Sequence, residues 1–243
     1  VLILALDTTT RAGSVAVIRD DTVIADVHGD GSRTHGERLP GEIERALAQA
    51  GVSACDLELL AVASGPGAFT GLRIGLAAAQ GLAMVLGTPV IGVSALDALA
   101  AAASLAVEAP RQTRLVTWVD AGRGEVFGAV YEPAAPRGGL APEFRWRSLA
   151  DPIAAPPAAI LAKLENAGFT IFIGDGAMTY RAAIEAWSGG RSSILAPPLS
   201  LAPTIARLGA RLAARGLAGP PHTLQPLYVR RPDAEVERRR LEP

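Results

Sequence analysis

The 243-residue sequence predicts an α/β fold of two lobes that share one element order, βββαβαβα. Three observations predict it. Near-continuous apolar runs such as Leu2-Ile3-Leu4-Ala5-Leu6 have the pattern of central strands covered on both faces. Between such runs, apolar residues recur at helical spacing, as Leu39, Ile43 and Leu47 do. The second half then repeats the opening of the first, a strand ending in Asp, a turn and another strand, with little residue identity between the halves.

In the first half, Asp7 to Gly13 is a polar turn after the first strand. Gly13 to Arg19 and Val23 to His28 are strands joined at Asp20-Asp21. Thr34-x-x-Glu37 fits a capping box and Gly51 a left-handed stop, so a helix spans Glu37 to Ala50. Leu59 to Ala63 is a buried strand. A glycine-rich loop leads to a helix from Gly71 to Leu86, a strand from Pro89 to Val93 and an alanine-rich helix from Ser94 to Val107. Residues 108–112 link the halves. In the second half, strands are expected at Leu115 to Val119, Val126 to Tyr131 and Phe144 to Arg147, with Gly122-Arg123-Gly124 as a turn and Pro133 to Pro142 as a hairpin tip. Helices follow at Ala158 to Ala167, Ala177 to Trp187 and Leu201 to Gly216, interleaved with strands Thr170 to Ile173 and Ser193 to Leu195. This divides the chain into lobes 1–108 and 109–232, with a charged tail 233–243 expected to be mobile.

Composition narrows the function classes. A formal net charge of −1 argues against tight, independent nucleic-acid binding, which needs a basic surface. Arg230-Arg231 and Arg238-Arg239-Arg240 are more simply solvated charges than RNA contacts. Cys55 is the only cysteine, which leaves no intrachain disulfide and no thiolate cluster. His28, His35 and His222 lack metal-ligand spacing, and no metal is expected. No signal-peptide pattern is present, and the apolar stretch Ile74 to Leu86 is too short to cross a bilayer, so a cytoplasmic protein is expected.

The turns Asp7-Thr8-Thr9-Thr10 and Asp120-Ala121-Gly122-Arg123 carry the chemical interest. Duplicated βββαβαβα lobes of ribonuclease-H-like order, each with Asp at the end of its first strand, are similar to actin-like (ASKHA) ATPases and sugar kinases. There the two turns face each other across a cleft, hold nucleotide phosphates and orient hydrated Mg²⁺. Asp and Thr equally cap an ordinary turn. Gly174-Asp175-Gly176 corresponds in place to an adenosine-holding turn of that class, or is a plain strand-to-helix turn with Asp175 as N-cap. The loop Ser64 to Gly75 has no Lys after its last glycine and lacks dinucleotide-fingerprint spacing, so it reads as a tight structural turn with Phe69 packed beneath the next helix. That helix is apolar all round and needs a cover on both sides, from its neighbour or from another subunit.

Leu4-Ala5-Leu6-Asp7-Thr8-Thr9, Ser64 to Gly75, Asp120 to Tyr131, Gly174-Asp175-Gly176 and Pro226-Leu227-Tyr228-Val229-Arg230-Arg231 together resemble the TsaB (YeaZ) family of tRNA threonylcarbamoyladenosine biosynthesis subunits. The resemblance implies a non-catalytic scaffold that pairs with the catalytic paralogue TsaD, recruits the ATPase TsaE and meets tRNA through the complex, with a homodimer as an option when alone. It requires no cofactor, and ATP or ADP enters only in the assembled complex. It implies a partner face at Leu39, Ile43, Leu47, Phe69, Leu72, Arg73, Leu76, Ala79 and Ala83, and a degenerate nucleotide cleft at Asp7, Thr8, Thr9, Asp120, Gly174 and Gly176. Arg38, Glu42 and Arg45 stand where the paralogue has metal-binding histidines. Ala68 replaces a common serine and Gly122 a common arginine. The rival expectation is a free-standing ATP-dependent kinase of the same fold, using Asp7 and Asp120.

Overall fold

Alternation in the first strand decides the layering. In the computed structural model, which describes residues 1–107, 112–134, 146–164 and 168–230, β1 is Leu2–Asp7. Leu2, Leu4 and Leu6 point to one side of it and Ile3 and Ala5 to the other, and both sides are buried. β2 (Ser14–Arg19) and β3 (Thr22–His28) complete an antiparallel meander. α1 (His35–Ala50) starts in the expected capping box of Thr34 and Glu37 and stops at Gly51, whose φ is 63°. β4 (Leu59–Gly65), α2 (Phe69–Leu86), β5 (Val90–Ser94) and α3 (Ala95–Ala106) follow. The sheet order is β3-β2-β1-β4-β5, with β4 and β5 parallel to β1.

The second half has β6 (Arg114–Gly122), β7 (Glu125–Pro133), β8 (Trp146–Ser148), β9 (Ile153–Ala155), α4 (Pro157–Lys163), β10 (Thr170–Ile173), α5 (Asp175–Thr179), α6 (Arg181–Ser188), β11 (Ser192–Leu195) and α7 (Ala202–Ala214). Its sheet runs β8-β7-β6-β10-β11, with β9 also paired to β7. The third strand of the first meander is thus matched by two short pieces, and the duplicated, actin-like arrangement holds. Two elements differ from expectation. The helix expected over Ala177 to Trp187 is two helices meeting at Tyr180, and β9 was not expected because three residues are too few to display alternation. Residues 108–111 of the linker, 135–142 of the hairpin tip, 144–145 of the expected strand, 165–167 of the expected helix and the tail 233–243 lie outside the described residues.

The core has three layers. Leu4, Leu6, Val15 and Val17 meet Leu39, Leu72 and Leu76 under α1 and α2. Val116, Trp118 and Phe172 meet Ile160 and Ile184 on the far side of the second sheet. Between the sheets, α3 and α7 share one continuous cluster with residues of both. These two helices cross the division between the halves. α7, assigned to the second lobe, packs on β1, β2, β4 and β5 of the first sheet, while α3 packs on β6. No side chain of its own segment caps α7. Ser14 Oγ of β2 accepts the N–H groups of Leu201 and Ala202 at 3.2 and 3.1 Å instead. Tyr131 of β7 reciprocates by donating to Asp97 of α3 at 2.8 Å.

α2 is 18 residues long, longer than the apolar stretch suggested, and by length and composition alone would reach across a bilayer. Its row Leu72, Gly75, Leu76, Ala79 and Ala83 is buried within this fold, with α2 packed chiefly on β4.

Candidate functional site at the cleft and the second helix

β1 and β6 are the middle strands of the two sheets, so their carboxyl ends face the same cleft. A cavity of about 320 Å³ there is lined by Asp7, Thr9, Leu99, Val119 and Asp175. A second, of about 470 Å³, is lined by Thr10, Arg11, His35, Asp120 and Asp175. Asp7 lines the first cavity and Asp120 the second, and Thr9 and Asp175 line both.

The geometry of the first turn is that of a capped turn. Asp7 Oδ1 accepts the Thr9 N–H at 2.9 Å and the Thr9 hydroxyl at 2.6 Å. Burial pushes the Asp7 carboxyl up, and the Thr9 donors work against that shift. Thr10 Oγ1 accepts from Gly13 N–H at 3.2 Å. Thr8 is fully buried, with its hydroxyl unpaired. Its hydroxyl lies where a Cβ on Gly75 of α2 would stand, which removes Thr8 from the cleft.

On the opposite side, Asp120 Oδ1 accepts from Gly122 N–H at 2.8 Å. Asp175 Oδ1 accepts from Asp120 N–H at 3.0 Å and from Gly176 N–H at 2.8 Å, and burial pushes this carboxyl up. Asp175 is the first residue of α5; the N-cap is Gly174. Gly174 has a φ of 117°, and a Cβ there would fall 2.0 Å from Trp118 O. Close approach to β6 accounts for Gly174, and a Cβ on Gly176 would also be tight, 3.0 Å from the Val119 carbonyl carbon.

The loop Ser64 to Gly75 is the structural turn it was expected to be. Ala68 N–H donates to Thr9 O at 3.0 Å, and a Cβ on Gly71 would meet Thr8 O at 2.3 Å, so loop and helix sit directly on the first turn. Phe69, however, does not pack beneath the helix. It is 42% exposed, stacks on Tyr228 at 5.7 Å and lies under the Arg73 guanidinium at 3.9 Å. The apolar side chain that this turn of α2 buries is Leu72 instead, 1% exposed. Phe69, Arg73, Asp120, Phe127, Tyr228 and Arg230 help to line a cavity of about 540 Å³ beside the cleft. Arg230 is held by Glu125 rather than standing free, at 2.9 Å; Arg231 and Arg238 to Arg240 lie outside the described residues.

Sequence reading missed a buried network on α1. Arg38 is 5% exposed and donates to Glu42 Oε1 at 2.5 Å, to Arg11 O at 3.1 Å, to Ala12 O and to His35 Nδ1 at 2.8 Å. A guanidinium only donates, so His35 Nδ1 accepts and Nε2 carries the proton shared with Thr10 O at 2.9 Å. Burial holds the His35 pKa below its ordinary value, and the Arg38 charge adds to that effect, against the hydrogen bond to Thr10. The available signal was the spacing of His35, Arg38 and Glu42 on the face that also carries Leu39.

The expected partner face needs correction. Leu39, Leu72, Leu76, Ala79 and Ala83 are at most 5% exposed and Ile43 is 8% exposed, all packed in the core beneath α1 and α2; Leu47 is half-buried beside them. Except for Leu47, these side chains are core of the first lobe and offer no surface to another protein. The exposed stripe of α2 is Phe69, Arg73, Ala77, Gly81, Met84 and Val85, of which Met84 is 75% and Val85 84% exposed. Four-residue spacing finds an apolar helix face but does not orient a helix that is apolar all round.

Comparison with known proteins adds the family. A family model described as TsaD, tRNA N6-adenosine threonylcarbamoyltransferase, matches residues 28–167. The tRNA threonylcarbamoyladenosine biosynthesis protein TsaB of Haemophilus influenzae is 34% identical over 166 residues, 68% of each chain. The chain belongs to the TsaB/YeaZ family. TsaB of Escherichia coli is 42% identical over 130 residues, and the match spans about half the length of that relative, 54%. YeaZ from Pseudomonas aeruginosa has the same fold, with a TM-score of 0.74 at 28% identity, covering 93% of this chain and 99% of that one. In this TsaB/YeaZ-family chain, the segment matching the transferase model runs from the end of β3 through α1, α2 and α3 into the second lobe. It includes both the α2 stripe and the Asp120 turn.

Proposed function

We propose that this chain is the non-catalytic partner subunit of the complex that installs threonylcarbamoyl on a tRNA adenosine beside the anticodon. In this reading it works by presenting α2 to the catalytic paralogue TsaD, with TsaE and tRNA joining through the complex and a homodimer using the same face when TsaD is absent. The observation that carries the reading is the exposed α2 stripe. Met84 and Val85 lie open on a helix whose other side is core, next to the small residues Ala77 and Gly81 that let a second helix approach closely. The names of the TsaB relatives and the match to the transferase family model support the pathway.

The mechanism is differential affinity: docking on α2 favours the partner's competent state over its idle one. The cleft is degenerate. Thr8 is buried, the Thr9 hydroxyl is given to Asp7, and Gly174 and Gly176 are accounted for by close packing on β6. No cofactor is required by the subunit alone, and nucleotide enters with the assembly.

The deciding experiment mixes the chain with its own organism's TsaD and follows the complex by size-exclusion chromatography with light scattering. Wild type forms a one-to-one complex, and Met84→Glu weakens it by about thirtyfold or more, a hot-spot loss of about 2 kcal/mol, with an unchanged circular dichroism spectrum. Unchanged affinity in that variant overturns the assignment of the face. Calorimetry of the lone chain with Mg-ATP tests the cleft: tight binding there would instead favour the free-standing kinase.

A further inference from the structure

The chain does not end its structural work at α7. After that helix it runs back along the first lobe and then crosses to the second. Gly219 pairs with Val90 of β5. Gln80 of α2 donates to Pro221 O at 3.1 Å and Leu224 O at 3.3 Å, and Leu224 is buried in the first lobe's outer core. Leu227 N–H donates to Ser64 O at 2.7 Å, at the end of β4. Tyr228 then stacks on Phe69 and accepts from Arg73 Nε at 3.1 Å, so its ring and hydroxyl both hold the first turn of α2. Val229 packs against the central cluster. Two residues beyond Tyr228, the attachment changes lobe. Arg230 donates to Glu125 Oε2 at 2.9 Å and to Ala121 O at 3.2 Å, both at the β6–β7 turn that carries Asp120. Its guanidinium lies 5.8 Å from the centre of the Phe127 ring.

We propose that Leu224–Arg230 is a strap that couples the β6–β7 turn of the second lobe to the first turn of α2, so that the angle between the lobes sets the position of Phe69 and Arg73. The segment is short and anchored at both ends by directional bonds, so little slack separates Tyr228 from Arg230. It also walls the 540 Å³ cavity between the two anchors, where Phe69 and Arg73 come from one lobe and Asp120 and Phe127 from the other. Opening the cleft must either stretch the strap, pull the α2 turn, or break the Arg230 anchor. The inference stands on the lone chain and does not depend on what α2 binds.

Hydrogen exchange followed by mass spectrometry on the full chain tests it, using Glu125→Gln. Glu125 is on the second lobe and bonds the strap only through Arg230. The expected result is faster amide exchange, by threefold or more, over Phe69–Arg73 as well as over the β6–β7 turn, with α7 unchanged. Faster exchange confined to the β6–β7 turn and residue 230 overturns the proposal. A second variant, Tyr228→Phe, removes the bond to Arg73 at the other anchor. Coupling predicts that Glu125→Gln speeds the α2 turn less in the Tyr228→Phe background than alone. Additive, independent effects overturn it as well. Should Glu125→Gln fail to fold, Arg230→Lys keeps the charge opposite Glu125 and weakens only the second bond to Ala121 O; the same comparison of the two turns then decides.

Discussion

His35 is neutral in the fold because its two ring nitrogens have fixed roles, one accepting from Arg38 and one donating to Thr10 O. In the unfolded chain it would take a proton at about pH 6.5. Its folded pKa is depressed, so between that lower value and about 6.5 the unfolded chain binds more protons, and stability falls as the pH drops through this window. Urea unfolding at pH 7.5 and 5.5 should show the loss, and His35→Gln, whose amide can both accept and donate, should flatten it. Asp7 and Asp175, whose carboxyls burial pushes up, oppose the trend at lower pH, which makes the difference between the two proteins the proper readout. The Arg38–Glu42 pair is buried on both sides. Arg38→Met should cost about 3–5 kcal/mol by leaving Glu42 charged and unpaired, and adding Glu42→Leu should return part of it; denaturant midpoints measure both. Only the i,i+4 spacing of Arg38 and Glu42 was legible in the sequence, whereas the whole Thr34–Glu37 box beside it was. The box is closed within four residues by letters that name their own chemistry. The remaining acceptors, of His35 Nε2 and of the second Arg38 nitrogen, include backbone carbonyls about twenty-five residues upstream, and a carbonyl has no letter.

At the scale of the element, α2 has two sides that the sequence could not tell apart. Its end at Leu86 and its all-round apolarity were readable from residues alone. Which side met the sheet was not, since leucines, alanines and glycines occur on both. The glycines distinguish them once the fold is known. A Cβ on Gly75 would stand 2.2 Å from Thr8 Oγ1, while one on Gly81 meets nothing within 4 Å. Gly75→Ala should therefore lift α2 from the first turn and destabilise by about 1–3 kcal/mol. Gly81→Ala should stabilise the lone chain by about 0.5–1 kcal/mol through helix propensity. If α2 is the docking face, the same Gly81→Ala should weaken binding of TsaD, because a methyl is added at the closest approach. Thermal melts with and without the partner separate the two effects.

For the whole molecule, the duplicated order was legible and the way the halves close was not. Element order assigned α7 to the second lobe because it follows β11, yet its buried side, with Ala202, Ile205, Ala206 and Leu208, covers the first sheet. Periodicity identified that apolar side without saying which sheet would receive it. The two halves consequently share a core, and calorimetry of the intact chain should give one transition rather than two. A fragment of residues 1–107 should lack cooperative unfolding and should bind a hydrophobic dye, since the inner face bearing Ile3, Ala5, Ala61 and Ile91 stays open. Supplying residues 202–214 as a peptide should suppress the dye signal. The placement of α7 also has a consequence in time. About a hundred residues separate the end of α3 from the end of the helix that completes the first sheet. At synthesis rates of about 5–20 residues per second, the nascent first half waits about 5–20 seconds with its oily inner surface bare. In the cell, this chain depends on whatever shields it during that interval.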